Sequence, residues 1–333
     1  MFDFSSSPLL ARRSPGERPL GLFVELLIHW GIAFFVPLII GIIPGAVATV
    51  ILGINGFSKL FNDAMASGIA GGTDTFDSEA VRELSEKIIE SEGYRVAELF
   101  GDAWIIAVAL FFCLAIRRRS LSTMGIERKG AARHYVGGIL LGAALCSVVV
   151  LVTCLSHAST FDGYRGNVNY LFLFFLLLGY VIQGAAEEIL IHGLFLTSLA
   201  RHFRWLPSVL VSAALFTLMH AANDGVTLLS LLNVFLFGVF LGLFVIRTGS
   251  VLGAAALHTA WNFTEGHVWG CSVSGSPSSS GLFSVTADAA RSVTNGGAFG
   301  PEGGLAATMI LMLSLIAVLF LPSFKKKSGE PTA

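Results

Sequence analysis

Residues 184–195 read GAAEEILIHGLF, which sets Glu187, Glu188 and His192 in a stretch that is otherwise apolar or small. Two more polar spacings follow: FTLMH ends on His220 four residues after Phe216, and HTAWN places His258 four residues before Asn262. Residues four apart share a helix face, so Glu188 is expected over His192, Phe216 beneath His220, and His258 beside Asn262. A carboxylate in apolar surroundings is a base toward water when a second group orients that water. An imidazole can do the orienting or bind a metal, and a side-chain amide with a second imidazole can donate to an oxyanion developing on a carbonyl. The set therefore points to hydrolysis of an amide by activated water. No serine or cysteine stands beside these residues in a nucleophile motif, which disfavours a covalent route.

The elements that must carry these groups are membrane helices. The chain of 333 residues is 54% hydrophobic, with 13% charged residues and a mean hydropathy of +0.76, against roughly 25% charge in an average soluble domain. Apolar runs long enough to span a bilayer lie near 22–54, 96–116, 135–156, 168–199, 206–222, 226–246, 249–266 and 305–322. The expected fold is all-α, a polytopic bundle of eight transmembrane helices. The first run is taken as one helix kinked near Pro37 and Pro44. Basic residues cluster at Arg12, Arg13 and Arg18, at Arg117–Arg119 with Arg128, Lys129 and Arg133, at Arg201 and Arg204, at Arg247, and at Lys325–Lys327. Threading eight spans puts every cluster on one side, which the positive-inside rule makes cytoplasmic, as it does both termini.

That topology gives three regions. Residues 1–134 hold two spans, an acidic extracytoplasmic segment and a basic cytoplasmic loop; 135–324 form the membrane core; 325–333 form a basic tail. Glu79, Glu83, Glu86 and Glu90 are expected on an amphipathic surface helix. The segments SVSGSPSSSG and TNGGAFGPEGG read as loop and turn without chemistry of their own. Cys113, Cys146, Cys154 and Cys271 lack metal-ligand spacing and read as packing residues. Glu25 and His29 are expected to snorkel to the cytoplasmic interface, and His134, His157, His202 and His267 to lie in loops or interfaces.

A depth estimate links the three polar motifs. At about 1.5 Å per residue, Glu187 lies roughly 21 Å from Arg201, and His220 roughly 21 Å from Leu206. His258 and Asn262 lie roughly 15 and 21 Å from Thr248. Three helices thus bring ionisable or amide groups to one level inside a bilayer, where such groups mark function by default.

EEILIHG, FTLMH and HTAWN, in this order on the fourth, fifth and seventh spans, resemble the CPBP family of intramembrane proteases, the CAAX prenyl endopeptidases and bacteriocin-processing Abi-like relatives. The family pattern is EExxxR, FxxxH and HxxxN. The resemblance covers residues 168–266 by motif and implies an intramembrane endopeptidase acting on a membrane-associated or lipidated, CAAX-like substrate. By position it makes Glu187 the water-activating base and Glu188 its support. His220 would orient the water or a metal, and His258 with Asn262 would stabilise the oxyanion. Family members have been described both as metalloproteases and as metal-free glutamate peptidases, so Glu187, His220 and His258 could hold Zn2+ or act without it. The family arginine is His192 here, a shorter side chain that can be neutral.

The expected partners are membrane lipid and a membrane-associated peptide or protein, with no nucleic acid. The bacterial-type turn before the last span, the compact length and the lack of an organelle signal favour a bacterial plasma membrane. Two other classes compete with the protease. One is a catalytically silent binding module of the bacteriocin self-immunity or protein-sorting type. The other is a proton-coupled transporter, against which the motif order and the lack of an internal repeat both count.

Overall fold

The computed structural model describes residues 4, 7–35, 92–278 and 280–320. The acidic segment with Glu79 to Glu90, the Pro37 and Pro44 kink and the basic tail lie outside them. The long described helices are α1 (Leu22–Phe35), α2 (Gly93–Ile116), α3 (Ala131–Leu155), α4 (Tyr170–Leu199), α5 (Trp205–Met219), α6 (Leu228–Thr248), α7 (Val251–Phe263) and α8 (Leu305–Phe320). Four of them, α2, α3, α4 and α6, are long and apolar enough to cross a membrane.

The expectation of an all-α fold needs one correction. Strand β1 (Ser159–Tyr164) pairs antiparallel with β2 (Phe283–Ala287), with Ser159 opposite Ala287 and a bulge between Phe161 and Gly163. Phe161, Trp269 and Phe283 pack together on this small sheet. Aromatic and β-branched residues in both strands supply the usual β-sheet composition.

Helix ends follow local rules. The Asn169 side chain accepts from the Phe172 amide to open α4, and Thr227 with Ser230 forms a reciprocal capping box on α6. Ser250 accepts from the Gly253 amide to open α7, directly after Gly249 closes α6 in the left-handed conformation at φ 68°. These two adjacent caps reverse the chain in two residues, which forces α7 back beside α6.

Small residues decide how closely the helices meet, because packing rather than the hydrophobic effect drives association in lipid. Helix α7 is enclosed almost all round. A Cβ on Gly138 or Gly142 of α3 would collide with the carbonyl oxygens of Gly253 and Leu257 on α7. On the other flank, a Cβ on Gly184 of α4 would meet Thr259 Oγ1 at 2.5 Å and the Ala255 carbonyl at 2.9 Å. Thr259 Oγ1 donates to the Tyr180 carbonyl at 3.0 Å across the same seam.

Glu25 and His29 depart from the snorkelling expectation, since both are buried. Glu25 takes an ion pair from Arg117 and a 3.0 Å contact from His202. Arg117 also donates to the Arg18 carbonyl at 2.7 Å, and Arg201 grips Glu17 at 2.7 and 3.1 Å. Arg119 donates to Thr197, Ser198 and Thr123. The arginines at these helix ends thus clasp the N-terminal segment to α2 and α4. Burial pushes the Glu17 carboxyl up, but the Arg201 hydrogen bond and charge outweigh it and hold Glu17 below the ordinary carboxylate range.

Two predictions follow from this packing. Gly142→Val should push α3 off α7 and lower stability by about 2 kcal/mol or more, read as a fall in melting temperature in detergent. A depressed carboxyl contributes stability that is present above its unfolded value and is lost as pH falls through its folded one. Glu17→Gln should therefore flatten the acid limb of the stability profile below about pH 4.5 while leaving its neutral limb parallel to the parent.

Candidate active site

Helix α4 carries the first group of residues. Its regular winding gives way over Ile189–Phe195 to a π-helical stretch directly after the two glutamates, a local widening that is frequent at functional sites. His192 lies inside it. Glu188 and His192 are both fully buried, and Glu188 Oε2 meets His192 Nδ1 at 2.6 Å. The other ring nitrogen, Nε2, donates to the Gly238 carbonyl of α6 at 3.0 Å. A carbonyl only accepts, so Nε2 carries a proton, and the Nδ1 contact needs a second proton held between ring and carboxylate. The pair is thus equivalent in charge to the arginine–glutamate pair of the family pattern.

Glu188 also reaches α7: its Oε1 accepts from His258 Nδ1 at 3.1 Å. One carboxylate thereby orients two imidazoles from two helices. With Nδ1 of His258 committed to Glu188, Nε2 is the ring atom left for a further partner.

Glu187 lies on another part of the α4 surface. It is 8% exposed, and its Oε2 is buried without a hydrogen-bond partner. That oxygen faces His220 Nε2 at 3.9 Å, too far for a direct hydrogen bond but a span that a bridging water can close. His220 caps the end of α5, and its Nδ1 donates to the Phe216 carbonyl at 2.8 Å, so Nε2 presents its lone pair toward Glu187. Phe216 packs against three of the imidazoles, with ring centroids 4.6 Å from His220, 5.8 Å from His258 and 6.4 Å from His192.

Asn262 completes the set. Its amide donates to Gln183 Oε1 at 3.2 Å. Gln183 was overlooked in the sequence although it precedes Glu187 by one helical turn and lines the same cleft. Glu302 was overlooked as well. It accepts from Trp261 Nε1 at 3.1 Å and from the Ser274 amide and hydroxyl at 2.8 and 2.6 Å. The GGAFGPEGG turn is therefore part of the wall beside His258 and Asn262, not an inert re-entry.

Two spaces meet at His220. A small one is lined by Phe216, Phe237, His258, Trp261, Asn262 and Glu302. A cleft of about 430 Å³ lies on the other side, bordered by Gln183, Glu187, Asp102, Arg95, Asp224 and Ser274 among others. The structure thus brings together Glu187 with His220, Glu188 with His192 and His258, and Asn262 with Gln183. Among the described residues no three His, Cys, Asp or Glu side chains converge as a metal site. The set Glu187, His220 and His258 is not assembled as zinc ligands, and no step below is routed through a metal.

With the geometry in place, comparison with known families becomes informative. Residues 169–264 match the Rce1-like family of type II CAAX prenyl endopeptidases. The matched segment runs from the cap of α4 to the end of α7 and contains all three motifs. It is the family class that the motifs resemble. No curated protein matches the chain, and no solved structure does. That segment is similar to the Rce1-like family, and the four long apolar helices mark an integral membrane protein.

The Glu188–His192 pair yields a direct test. His192→Leu leaves a buried carboxylate with one imidazole instead of two and should cost about 3 kcal/mol. His192→Arg keeps a cationic partner and should cost clearly less, both read by thermal unfolding in detergent.

Proposed function

We propose that the protein is an intramembrane endopeptidase that cleaves a peptide bond in a membrane-associated or lipidated, CAAX-like substrate by glutamate-activated water. The observation that carries this reading is the buried, unpartnered Glu187 Oε2 facing the accepting nitrogen of His220 across 3.9 Å at the edge of a cleft. A water bound between them donates one hydrogen to each and keeps its lone pairs for attack.

In the reaction, Glu187 takes a proton from that water while the oxygen adds to the scissile carbonyl carbon. The carbonyl oxygen becomes an oxyanion, stabilised by Asn262 and by His258 in its doubly protonated form. Collapse of the tetrahedral species restores the carbonyl and breaks the C–N bond. Glu187 returns its proton to the leaving amine. Glu188 and His192 touch no reacting atom in this scheme; they hold His258, and Phe216 spaces the three imidazoles. His192 thus replaces the family arginine in a positioning role.

The protein would act as a multi-pass protein of a bacterial plasma membrane, with eight spans and both termini cytoplasmic. The three regions 1–134, 135–324 and 325–333 would then be two N-terminal spans with their acidic extracytoplasmic segment and basic cytoplasmic loop, the protease-like membrane core, and a basic cytoplasmic tail.

The test assumes no substrate. Membrane-proteome termini are compared by mass spectrometry between cells carrying the parent and cells carrying Glu187→Gln at equal abundance. Loss of the base should lower cleavage by about a hundredfold or more, so a set of termini should vanish. Unchanged termini, with a deletion phenotype rescued by the variant, would replace this reading with a silent binding module.

A further inference from the structure

The two spaces of the site share two lining residues, His220 and Ser274. In the proposed reaction the water is held beside Glu187 in the larger space and the oxyanion beside His258 and Asn262 in the smaller, so the scissile bond crosses the seam where His220 and Ser274 stand. Ser274 belongs to a tight hairpin. The Val273 and Ser276 amides each donate to the other's carbonyl, at 2.9 and 2.8 Å, and the residues between them both have positive φ, Ser274 at 48° and Gly275 at 87°. A type I′ turn requires that sign at both positions. Glycine takes it freely, but serine seldom does, so Ser274 needs an outside hold.

Glu302 supplies that hold. Its Oε1 accepts from the Ser274 amide at 2.8 Å and from the Ser274 hydroxyl at 2.6 Å. Glu302 is itself anchored: Oε2 accepts from Trp261 Nε1 at 3.1 Å, its amide donates to Glu265 Oε1 at 3.0 Å, and its carbonyl accepts from Asn233 Nδ2 at 2.8 Å. On the far side of the hairpin the Ser274 carbonyl accepts from Asn223 Nδ2 at 2.8 Å, and the Asn223 amide donates to the His220 carbonyl at 3.2 Å. The turns also touch directly. The Gly275 amide donates to the Phe299 carbonyl at 2.9 Å, a Cβ on Gly275 would collide with the Asp224 backbone, and one on Gly225 would meet the Phe299 amide nitrogen at 2.7 Å. Residues 220–225, 273–276 and 297–303 thus form one packed layer of turns beside His220.

We infer that Glu302 is a positioning residue for His220, acting through Ser274 and Asn223. This rests on the proposed function, in which His220 orients the attacking water, and it adds the residue that sets where His220 stands relative to α7. Without an acceptor at Glu302, the Ser274 amide and hydroxyl lose their partner and the hairpin tip relaxes from positive φ, which carries the Ser274 carbonyl away from Asn223. The end of α5 then loses its tether, and His220 is held by the Phe216 carbonyl of its own helix. Glu302 touches no reacting atom in this scheme, so its substitution acts on geometry rather than on proton transfer.

The experiment uses the full chain, in detergent and in cells. Diethyl pyrocarbonate modifies accessible neutral imidazoles, and peptide mass spectrometry gives its rate at His220 against that at His157, which is exposed just beyond α3. Glu302→Leu removes the acceptor at similar volume. Asn223→Asp removes the donor to the Ser274 carbonyl without touching Glu302, and Glu302→Gln keeps an oxygen for the Ser274 amide and hydroxyl. Glu302→Leu and Asn223→Asp should each raise the His220 rate relative to His157 by about threefold or more. The same two variants should lower the yield of the protein's cellular cleavage products by about tenfold or more, whereas Glu302→Gln should stay within about threefold of the parent in both readings.

A His220 rate unchanged in either variant that folds would overturn the inference, and Asn223→Asp, which breaks the relay at its other end, carries the test alone if Glu302→Leu does not fold. Loss of cleavage in Glu302→Gln as deep as in Glu302→Leu, with the His220 rate of the parent, would also overturn it, because Glu302 would then act by its own proton. The Glu187→Gln comparison separates this inference from the reading it rests on. If termini persist in Glu187→Gln while the His220 rate responds to Glu302→Leu and Asn223→Asp, hydrolysis by Glu187 fails and the positioning stands. If termini vanish in Glu187→Gln but neither variant moves the His220 rate, hydrolysis stands and the positioning falls.

Discussion

A carboxylate with no exposure to solvent is tolerable only when charged or hydrogen-bonding partners surround it, and Glu188 is the residue in that position. It takes His192 from its own helix and His258 from α7, and His192 in turn is tied to the α6 backbone at Gly238. Three helices are therefore bound to one charge. The distances require α7 to lie close to α4, which Gly184 permits. They also require α7 to be pressed from the far side by α3, which Gly138 and Gly142 permit. The glycines and the glutamate are parts of one arrangement: without close approach the carboxylate loses a partner, and without the carboxylate the close approach has no polar purpose.

The same constraint separates the roles of the two adjacent glutamates. Successive residues on a helix point about 100° apart, so when Glu188 is turned into the bundle, Glu187 cannot follow it. Glu187 is left at the border of the cleft with an unpartnered oxygen. His258 donates to Glu188 and His220 donates to the Phe216 carbonyl. Each therefore keeps its remaining nitrogen for whatever enters. Structural burial and chemical availability are divided between neighbours by helix geometry alone.

How much of this could be read in the chain depended on the range of each interaction. Glu188 with His192 and Phe216 with His220 are four residues apart, so the helical repeat alone places them, and both contacts are present. Gln183 was legible by the same rule, one turn before Glu187, but an uncharged amide in an apolar run raises no alarm. Glu302 could not be reached this way. Its amide donates to Glu265 across 37 residues, and its carboxylate serves Trp261 and Ser274 from a glycine-rich turn that looked inert. The two strands are more remote still, since Ser159 pairs with Ala287 and each is too short to show a period. Glu25 misled for a related reason, since its partners Arg117 and His202 belong to other elements, and His29 is buried against Phe112 and Phe195, also on other elements.

The distribution of charge along the bundle adds a last step. Buried arginines at one end are each satisfied by carboxylates, hydroxyls or carbonyls, so that end is closed by its own hydrogen bonds. At the other end Asp102, Glu187 and Asp224, with Arg95 among the described residues, border a cleft. The arginine end is thus closed by hydrogen bonds within the chain, and the cleft beside Glu187 and His220 lies at the opposite end.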